Sequence, residues 1–453
     1  MATQRRRIWG WYFFDWASQP YSTLLLTFTF SPYFSEVARA TYTAQGMTPQ
    51  AAQAAAQTYW TTGQTLAGIT IALLAPILGA VADGSGRRMP WIWLFSALYV
   101  LGSAMLWFLS PTQPDLFSAM LWFGVGLIGM EFATIFTNSL MPDLAGDEDM
   151  GKISGSGSAW GYLGGIIALL IMLLAFNENA STGKTLIGIS PLFGLDPALR
   201  EGTRAVGPFT AIWFVIFMVP FFLWVHEKVR PGKIRLGAAL ANLWALILSL
   251  RERQSLGAHL LSSMLYRDAL NALYGIGGIY ASGVLGWTIT QIGIFGIIAA
   301  ISAALFTWAG GRMDSALGPK PVITASMWVL IAVCLVVAGM SRTHFFGIPL
   351  PEGSPLPDVV FYICGCAIGA AGGTLQAASR TMMVFHTTPE RATESFGLYA
   401  LSGKATTFLG TAGIAVVTAI SGSPRLGIAL PLITLFILGM VFLRWVKPMG
   451  ERG

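Results

Sequence analysis

Six ionisable residues stand inside long apolar runs: Asp15, Glu131, Arg267, Asp268, Arg380 and Lys404. On insertion scales a charge at the centre of a membrane helix costs at least about 2.5–3.5 kcal/mol. Each therefore calls for a partner, an aqueous chamber or a ligand. Their neighbours fall at helical spacing. Asp15, Ser18, Gln19 and Ser22 follow i, i+3, i+4, i+7; Glu131, Thr134 and Asn138 follow i, i+3, i+7; Arg267, Asn271 and Tyr274 follow i, i+4, i+7; Gln376 and Arg380 follow i, i+4. Four helices each carry one polar stripe. Arginine offers a fork for a carboxylate, the acids offer an acceptor for an ammonium group or a proton, and Tyr266 and Tyr274 offer aromatic surface. Structural ion pairing, for example Asp15 or Glu131 with Arg380, is the competing reading. Depth in the apolar runs favours function for Glu131, Arg267 and Asp268. Asp15 and Lys404, close to helix ends, fit pairing or snorkelling equally well.

The elements that position these groups are membrane helices. The 453 residues are 54% hydrophobic and 11% charged, with a mean hydropathy of +0.64; soluble domains carry about 25% charged residues. A bilayer core takes about 20 apolar residues to cross. The hydropathy pattern predicts twelve spans at 8–34, 56–82, 90–109, 116–140, 156–176, 206–225, 257–281, 288–309, 321–340, 358–384, 396–420 and 426–446. Arg5, Arg6 and Arg7 precede the first run, but that run contains Asp15 and lacks a small-residue cleavage site, so it reads as an uncleaved span. Residues 236–250, between Arg235 and Arg251, reach only about 22 Å. They place Leu236, Leu240, Leu243, Trp244 and Ile247 on one face, which predicts an interfacial helix.

Of the 27 Lys and Arg residues, eighteen fall in segments on the side of the termini, including Arg87, Arg88, Lys228, Arg230, Arg251, Arg253, Arg312, Lys320, Arg444 and Lys447, and six on the opposite side. The positive-inside rule then puts both termini in the cytoplasm. The expected organisation is a bundle over 1–226, a cytoplasmic linker over 227–255 and a second bundle over 256–453. The basic residues do not cluster as a nucleic-acid interface. Cys334, Cys364 and Cys366 fall in apolar runs and match neither a disulfide framework nor a metal site. The loop at 177–205 offers no motif.

A repeat divides the chain. Gly79-Ala-Val-Ala-Asp83-Gly-Ser-Gly86-Arg87-Arg88 follows the second span, and Gly310-Gly-Arg312-Met-Asp314-Ser-Ala-Leu-Gly318-Pro-Lys320 follows the eighth, 231 residues later. Parallel repeats of this kind relate the halves of transporters. Asp83 can accept from a neighbouring helix's first amides, and Arg87 and Arg88 can pair acids across the loop. Gly79, Asp83, Gly86, Arg87, Arg88, Arg312 and Asp314 are therefore candidate gate residues. A tight turn with two topology-setting arginines would explain Arg87 and Arg88 but not the Gly, Asp and Gly spacing. Gly157, Gly161 and Gly165 recur every four residues and predict close helix packing. Gly397 to Lys404 lacks the spacing of a phosphate loop, and there is no H-E-x-x-H or G-x-S-x-G run. His226, His259, His344 and His386 are too dispersed to suggest a metal site. No catalytic or metal site and no cofactor is expected.

The first repeat segment resembles the signature loop of the major facilitator superfamily, with Val81 for Leu and Gly84 for the first Arg. Trp11 to Tyr21, Asn138 to Ala145, Ser154 to Gly165, Tyr266 to Asn271, Gln376 to Arg380 and Phe396 to Gly410 resemble the vacuole-effluxer-like branch, named for fungal vacuolar amino-acid exporters and rich in bacterial members. Gln19, Ala269 and Ser395 depart from its pattern and leave the substrate open. The resemblance implies an all-α integral membrane protein with twelve helices in two six-helix bundles, in the bacterial inner membrane. It implies a central cavity lined by the first, fourth, seventh and tenth helices, where Asp15, Glu131, Arg267, Asp268 and Arg380 fall. The expected function is secondary transport of a small polar or zwitterionic solute, an amino acid by family resemblance, through alternating access. Asp15, Gln19, Glu131, Asn138, Tyr266, Arg267, Asp268, Asn271, Gln376, Arg380 and Lys404 are the expected substrate contacts. Glu131, Asp15 and Asp268 are the expected proton carriers. The expected partners are a small-molecule substrate, the lipid bilayer and protons, with the chain a monomer. A drug or lipid exporter would call for fewer buried charges; a membrane sensor or embedded enzyme is the remaining alternative.

Overall fold

The computed structural model describes residues 4–228 and 236–451. Arg230 and Arg235 lie outside the described residues. The described residues fold into two compact units: 4–74, 85–138 and 160–228 in one, and 75–84, 139–159 and 236–451 in the other. Among the described residues ten helices are long and apolar enough to cross a membrane.

In the first unit, α1 (Gln4–Pro20) passes into a π-helical stretch, Tyr21–Phe28, then bends at Thr29 into α2 (Phe30–Ala44). Pro20 supplies no amide to the ladder, and widened turns of this kind are a known response. The first span is thus a broken helix rather than one smooth rod over 8–34. Helices α3 (Pro49–Ser85), α4 (Met89–Met105) and α5 (Leu116–Asn138) follow. The glycines of α4 and α5 bring their backbones together: a methyl on Gly102 would lie 2.3 Å from the Gly126 nitrogen. Tyr21 donates to the Phe123 carbonyl at 2.6 Å, and Trp60 packs on Phe123 at 4.6 Å between ring centres. Next come α6 (Asp147–Ile171), a single turn α7 (Glu201–Arg204) and α8 (Val206–Trp224). The unreadable loop at 177–205 is held by buried Glu178, which accepts from Thr203 and pairs with Arg200 at 3.3 Å.

Helix α9 (Leu236–Ser249) covers the predicted interfacial segment, with Trp244 and Leu248 exposed. The second unit continues with α10 (Gln254–Leu285), α11 (Ile289–Leu317), α12 (Pro319–Gly339), a short hairpin of β1 (His344–Phe345) on β2 (Ile348–Pro349), α13 (Leu356–Phe385), α14 (Ala392–Ala405), α15 (Leu409–Ser421) and α16 (Pro424–Leu443). Its core joins Tyr266, Leu270, Ile323, Met327, Leu330, Cys334, Leu375 and Phe436. The three cysteines are free thiols, two of them buried.

Two predicted spans fall outside the ten. The first is interrupted by Pro20. The other is α10, whose His259, Arg267 and Asp268 lower its apolar character. The predicted span at 396–420 is also broken, between Ala405 and Leu409.

Candidate functional site

The break between α14 and α15 is where sequence and geometry meet. Asp268 on α10 is buried, and its Oδ2 accepts from the Gly410 amide at 2.9 Å, in the first turn of α15. A carboxylate at that position satisfies an orphan amide and complements the helix dipole. The glycines make this contact possible: a methyl on Gly410 would lie 2.8 Å from Ala272, and one on Gly403 would lie 2.5 Å from the guanidinium of Arg267.

Arg267, one residue before Asp268, lies on α14. Its guanidinium carbon is 4.2 Å from the centre of the Tyr399 ring, and Nη1 donates to the Tyr399 carbonyl at 2.9 Å. The side chain is half-buried and has no carboxylate partner among the described residues. A chain of hydroxyls fixes the Tyr399 ring: Tyr399 Oη and Ser379 Oγ are 2.6 Å apart, and Ser379 Oγ and Tyr266 Oη 2.5 Å. Tyr266 is fully buried. On the other side, His259 stacks on Tyr399 and on His386, with ring centres 5.9 and 5.3 Å apart. Both ring nitrogens of His259 are buried without a hydrogen-bond partner. His386 has Ser255 on Nε2 and the Met382 carbonyl on Nδ1, both at 2.8 Å. Burial holds its pKa below the ordinary histidine range.

Arg380 on α13 is surrounded differently. It is buried against the first half of α6, where Nε donates to Ser154 Oγ at 3.0 Å and Nη2 donates to the Ser154 carbonyl at 2.7 Å and to Ser158 Oγ at 2.8 Å. Ser154 Oγ in turn donates to the Ala377 carbonyl. Gln376, Asn271 and Tyr274 are exposed, and Lys404 is half-buried.

The candidates in the first unit sit apart along the chain. Asp15 and Gln19 are half-buried on α1, whose backbone and side chains meet the bare faces of Gly161, Gly164 and Gly165. Gly161 and Gly165, two of the three glycines spaced four apart, pack against α1 as expected, and Gly164 joins them. The Ser18 hydroxyl donates back to the Asp15 carbonyl of its own helix while the Ser18 carbonyl accepts from Tyr99, and Ser22 faces the Met130 sulfur. Glu131 is half-buried and Asn138 buried on α5.

Both repeat segments make interlocking contacts within the second unit. Asp83 Oδ2 accepts from the Glu394 amide at 2.8 Å, in the first turn of α14. A methyl on Gly79 would lie 2.6 Å from the Thr393 carbonyl, and one on Gly397 would lie 2.5 Å from that of Ala75. In the second copy, Asp314 is buried against Gly151, and the Lys152 amide donates to Ser315 Oγ at 2.9 Å. Gly86 and Gly318 both have positive φ, +68° and +83°, so the shared glycine serves the turn. Arg88 is buried, and its amide donates to Glu227 at 2.5 Å, whereas Arg87 is exposed and Arg312 folds onto Trp308 of its own helix. Among the described residues no three His, Cys, Asp or Glu side chains converge as a metal site.

Reasoning from sequence missed Ser154, Ser158, Ser379, Tyr399 and the His259–His386 stack. Ser154 and Ser158 are spaced i, i+4 inside a family-like segment, and that stripe was the available signal.

A sequence profile described as "Vacuole effluxer Atg22 like" matches residues 3–449. The chain belongs to this family. Among relatives, an uncharacterized transporter of the major facilitator type from Bacillus subtilis, YxiO, is 25% identical, with 96% of this chain and 94% of the relative covered. Autophagy-related protein 22 of Cryptococcus neoformans is 21% identical over 63% of this chain and 48% of its own length, so this chain spans about half of that fungal member. Among solved structures, the human organic anion transporter MFSD10 superposes with a TM-score of 0.68 at 15% identity, covering 99% of this chain and all of that one. A proton:xylose symporter superposes with a TM-score of 0.69 at 10% identity, covering 99% and 98%. The family member described here has the major facilitator fold and is a multi-pass membrane transporter.

Proposed function

We propose that this protein is a secondary transporter of small polar or zwitterionic solutes that bear a carboxylate, with amino acids the leading class, working by alternating access in the inner membrane. The observation that carries this reading is Arg267. A half-buried guanidinium within a membrane helix, seated on an aromatic ring and lacking a carboxylate partner among the described residues, is costly unless an anion arrives to pair with it. Its guanidinium sits over the Tyr399 ring with Nη1 on the Tyr399 carbonyl, and further N–H donors remain for a carboxylate. Asn271, Tyr274 and Gln376 are exposed on α10 and α13 and supply polar and aromatic contacts.

Arg380, Asp268 and the repeat segments take mechanical roles in this proposal. Arg380 ties α13 to α6, Asp83 ties α3 to α14, and Asp268 holds the α14–α15 break. Release of these ties would open the gate. Glu131, with Asp15 in second place, is the proposed proton carrier, because each is a half-buried carboxylate inside a predicted span.

The test is transport in proteoliposomes with a radiolabelled amino-acid panel. Saturable movement of at least one amino acid, driven by a pH gradient and reduced to equilibration in Glu131→Gln, is the expected result. No movement of any member under any gradient would reject the cargo class, and full concentrative transport by Glu131→Gln would reject the carrier.

A further inference from the structure

The three arginines before the first span are not equivalent. Arg7 donates to the His226 carbonyl just beyond α8. Arg5 and Arg6 instead line a pocket of about 320 Å³ whose other walls are Trp9, Phe13 and Trp224. The aromatic walls are braced: Phe13 meets Trp224 edge to face at 6.3 Å and lies parallel to Phe217 at 6.5 Å, while Trp9 packs on Trp160 at 5.5 Å. The start of α1 and the end of α8 approach closely beside it, because Gly10 has no side chain to meet the Pro220 carbonyl and Trp224. Glu227, the acid nearest in sequence to Trp224, is turned to the Arg88 and Met89 amides. The pocket therefore combines two exposed guanidinium groups, a fixed aromatic wall and no competing carboxylate among its lining residues.

We propose that this pocket binds the headgroup phosphate of an anionic phospholipid of the inner leaflet. The basic bias of the loops places Arg5 and Arg6 on the cytoplasmic side, where anionic lipids attract juxtamembrane arginines. Tryptophan at the start of α1 and the end of α8 belongs at headgroup level. The volume is at the low end for a ligand site, which suits a headgroup and glycerol but not acyl chains. Those chains extend into the bilayer past Trp9, which is 36% exposed. A lipid seated here bridges α1 and α8, so it bears on the helix that carries Asp15.

The test is native mass spectrometry of the full chain, purified in detergent and offered phosphatidylglycerol and phosphatidylcholine in competition. The wild type should retain phosphatidylglycerol preferentially. Each arginine should contribute about five-fold to that preference, so Arg5→Gln with Arg6→Gln should lower it roughly 25-fold. Arg251→Gln with Lys447→Gln, which removes the same charge from other basic segments on that side, should leave it intact. Trp9→Leu keeps both arginines and should still lose several-fold. Equal retention of the two lipids, an equal loss in the Arg251/Lys447 control, an unchanged Trp9→Leu, or displacement by millimolar inorganic phosphate would each overturn the assignment. The last result would identify a site for a soluble anion instead.

Discussion

Arg267 and Arg380 carry the same charge in the same unit, yet their surroundings differ. Arg380 is buried, with Nε and Nη2 bonded to Ser154 and Ser158. Arg267 is half-buried, gives one bond to the Tyr399 carbonyl and lies on that ring. A guanidinium has five N–H donors. When several are tied to a neighbouring helix the side chain is held in place; when most are left over, donors remain for a ligand. In the proposed mechanism Arg380 positions helices and Arg267 recognises the solute, a distinction that their residue type and apolar context do not reveal.

The largest effect that would break this contrast is on stability. Arg380→Met leaves the Ser154 carbonyl and Ser158 hydroxyl facing an apolar group, and buried unsatisfied groups cost about 1–3 kcal/mol each. Thermal unfolding should show a loss of roughly 2–3 kcal/mol for Arg380→Met and below about 1 kcal/mol for Arg267→Met. Equal losses would erase the distinction. The next effect sharpens the receptor side. In Gly403→Ala the new methyl falls on the tip of Arg267, so the flexible side chain should move off Tyr399. Substrate affinity should fall about ten-fold, equivalent to about 1.4 kcal/mol, with little change in unfolding temperature.

The smallest effect concerns His386, beside the end of α13. Its folded pKa is depressed by burial, so below the ordinary value of about 6.5 the unfolded chain takes up a proton that the folded chain resists. Stability should therefore decline as pH falls from 7.5 to 5.5, and His386→Gln should flatten that slope. A slope of the opposite sign would show a charged histidine in the folded state.

Much of this was legible in the chain. The turn glycine Gly86 and the helix-capping Asp83 follow from a motif whose spacing is set by a turn with positive φ and by a cap on a helix end. Buried arginines and acids stood out because hydrocarbon tolerates so few charges. What stayed hidden depends on contacts between residues far apart in sequence. Asp268 read from sequence as a substrate contact and proton carrier; that its Oδ2 also caps α15 was hidden, because nothing local to α10 announces the break before Leu409. Tyr266 looked like an aromatic contact, yet its hydroxyl is locked to Ser379 in the interior. His259 and His386 looked unrelated and stack face to face.

In the proposed mechanism Arg267 pairs with a carboxylate on the cargo. Once a transported amino acid is identified, the decisive measurement is its binding affinity beside that of its decarboxylated amine, in wild type and Arg267→Gln. Losing one member of a desolvated charge pair costs about 2–5 kcal/mol. The wild type should therefore prefer the amino acid by at least roughly thirty-fold, and Arg267→Gln should bind the two alike. A variant that keeps the full preference would place the carboxylate elsewhere.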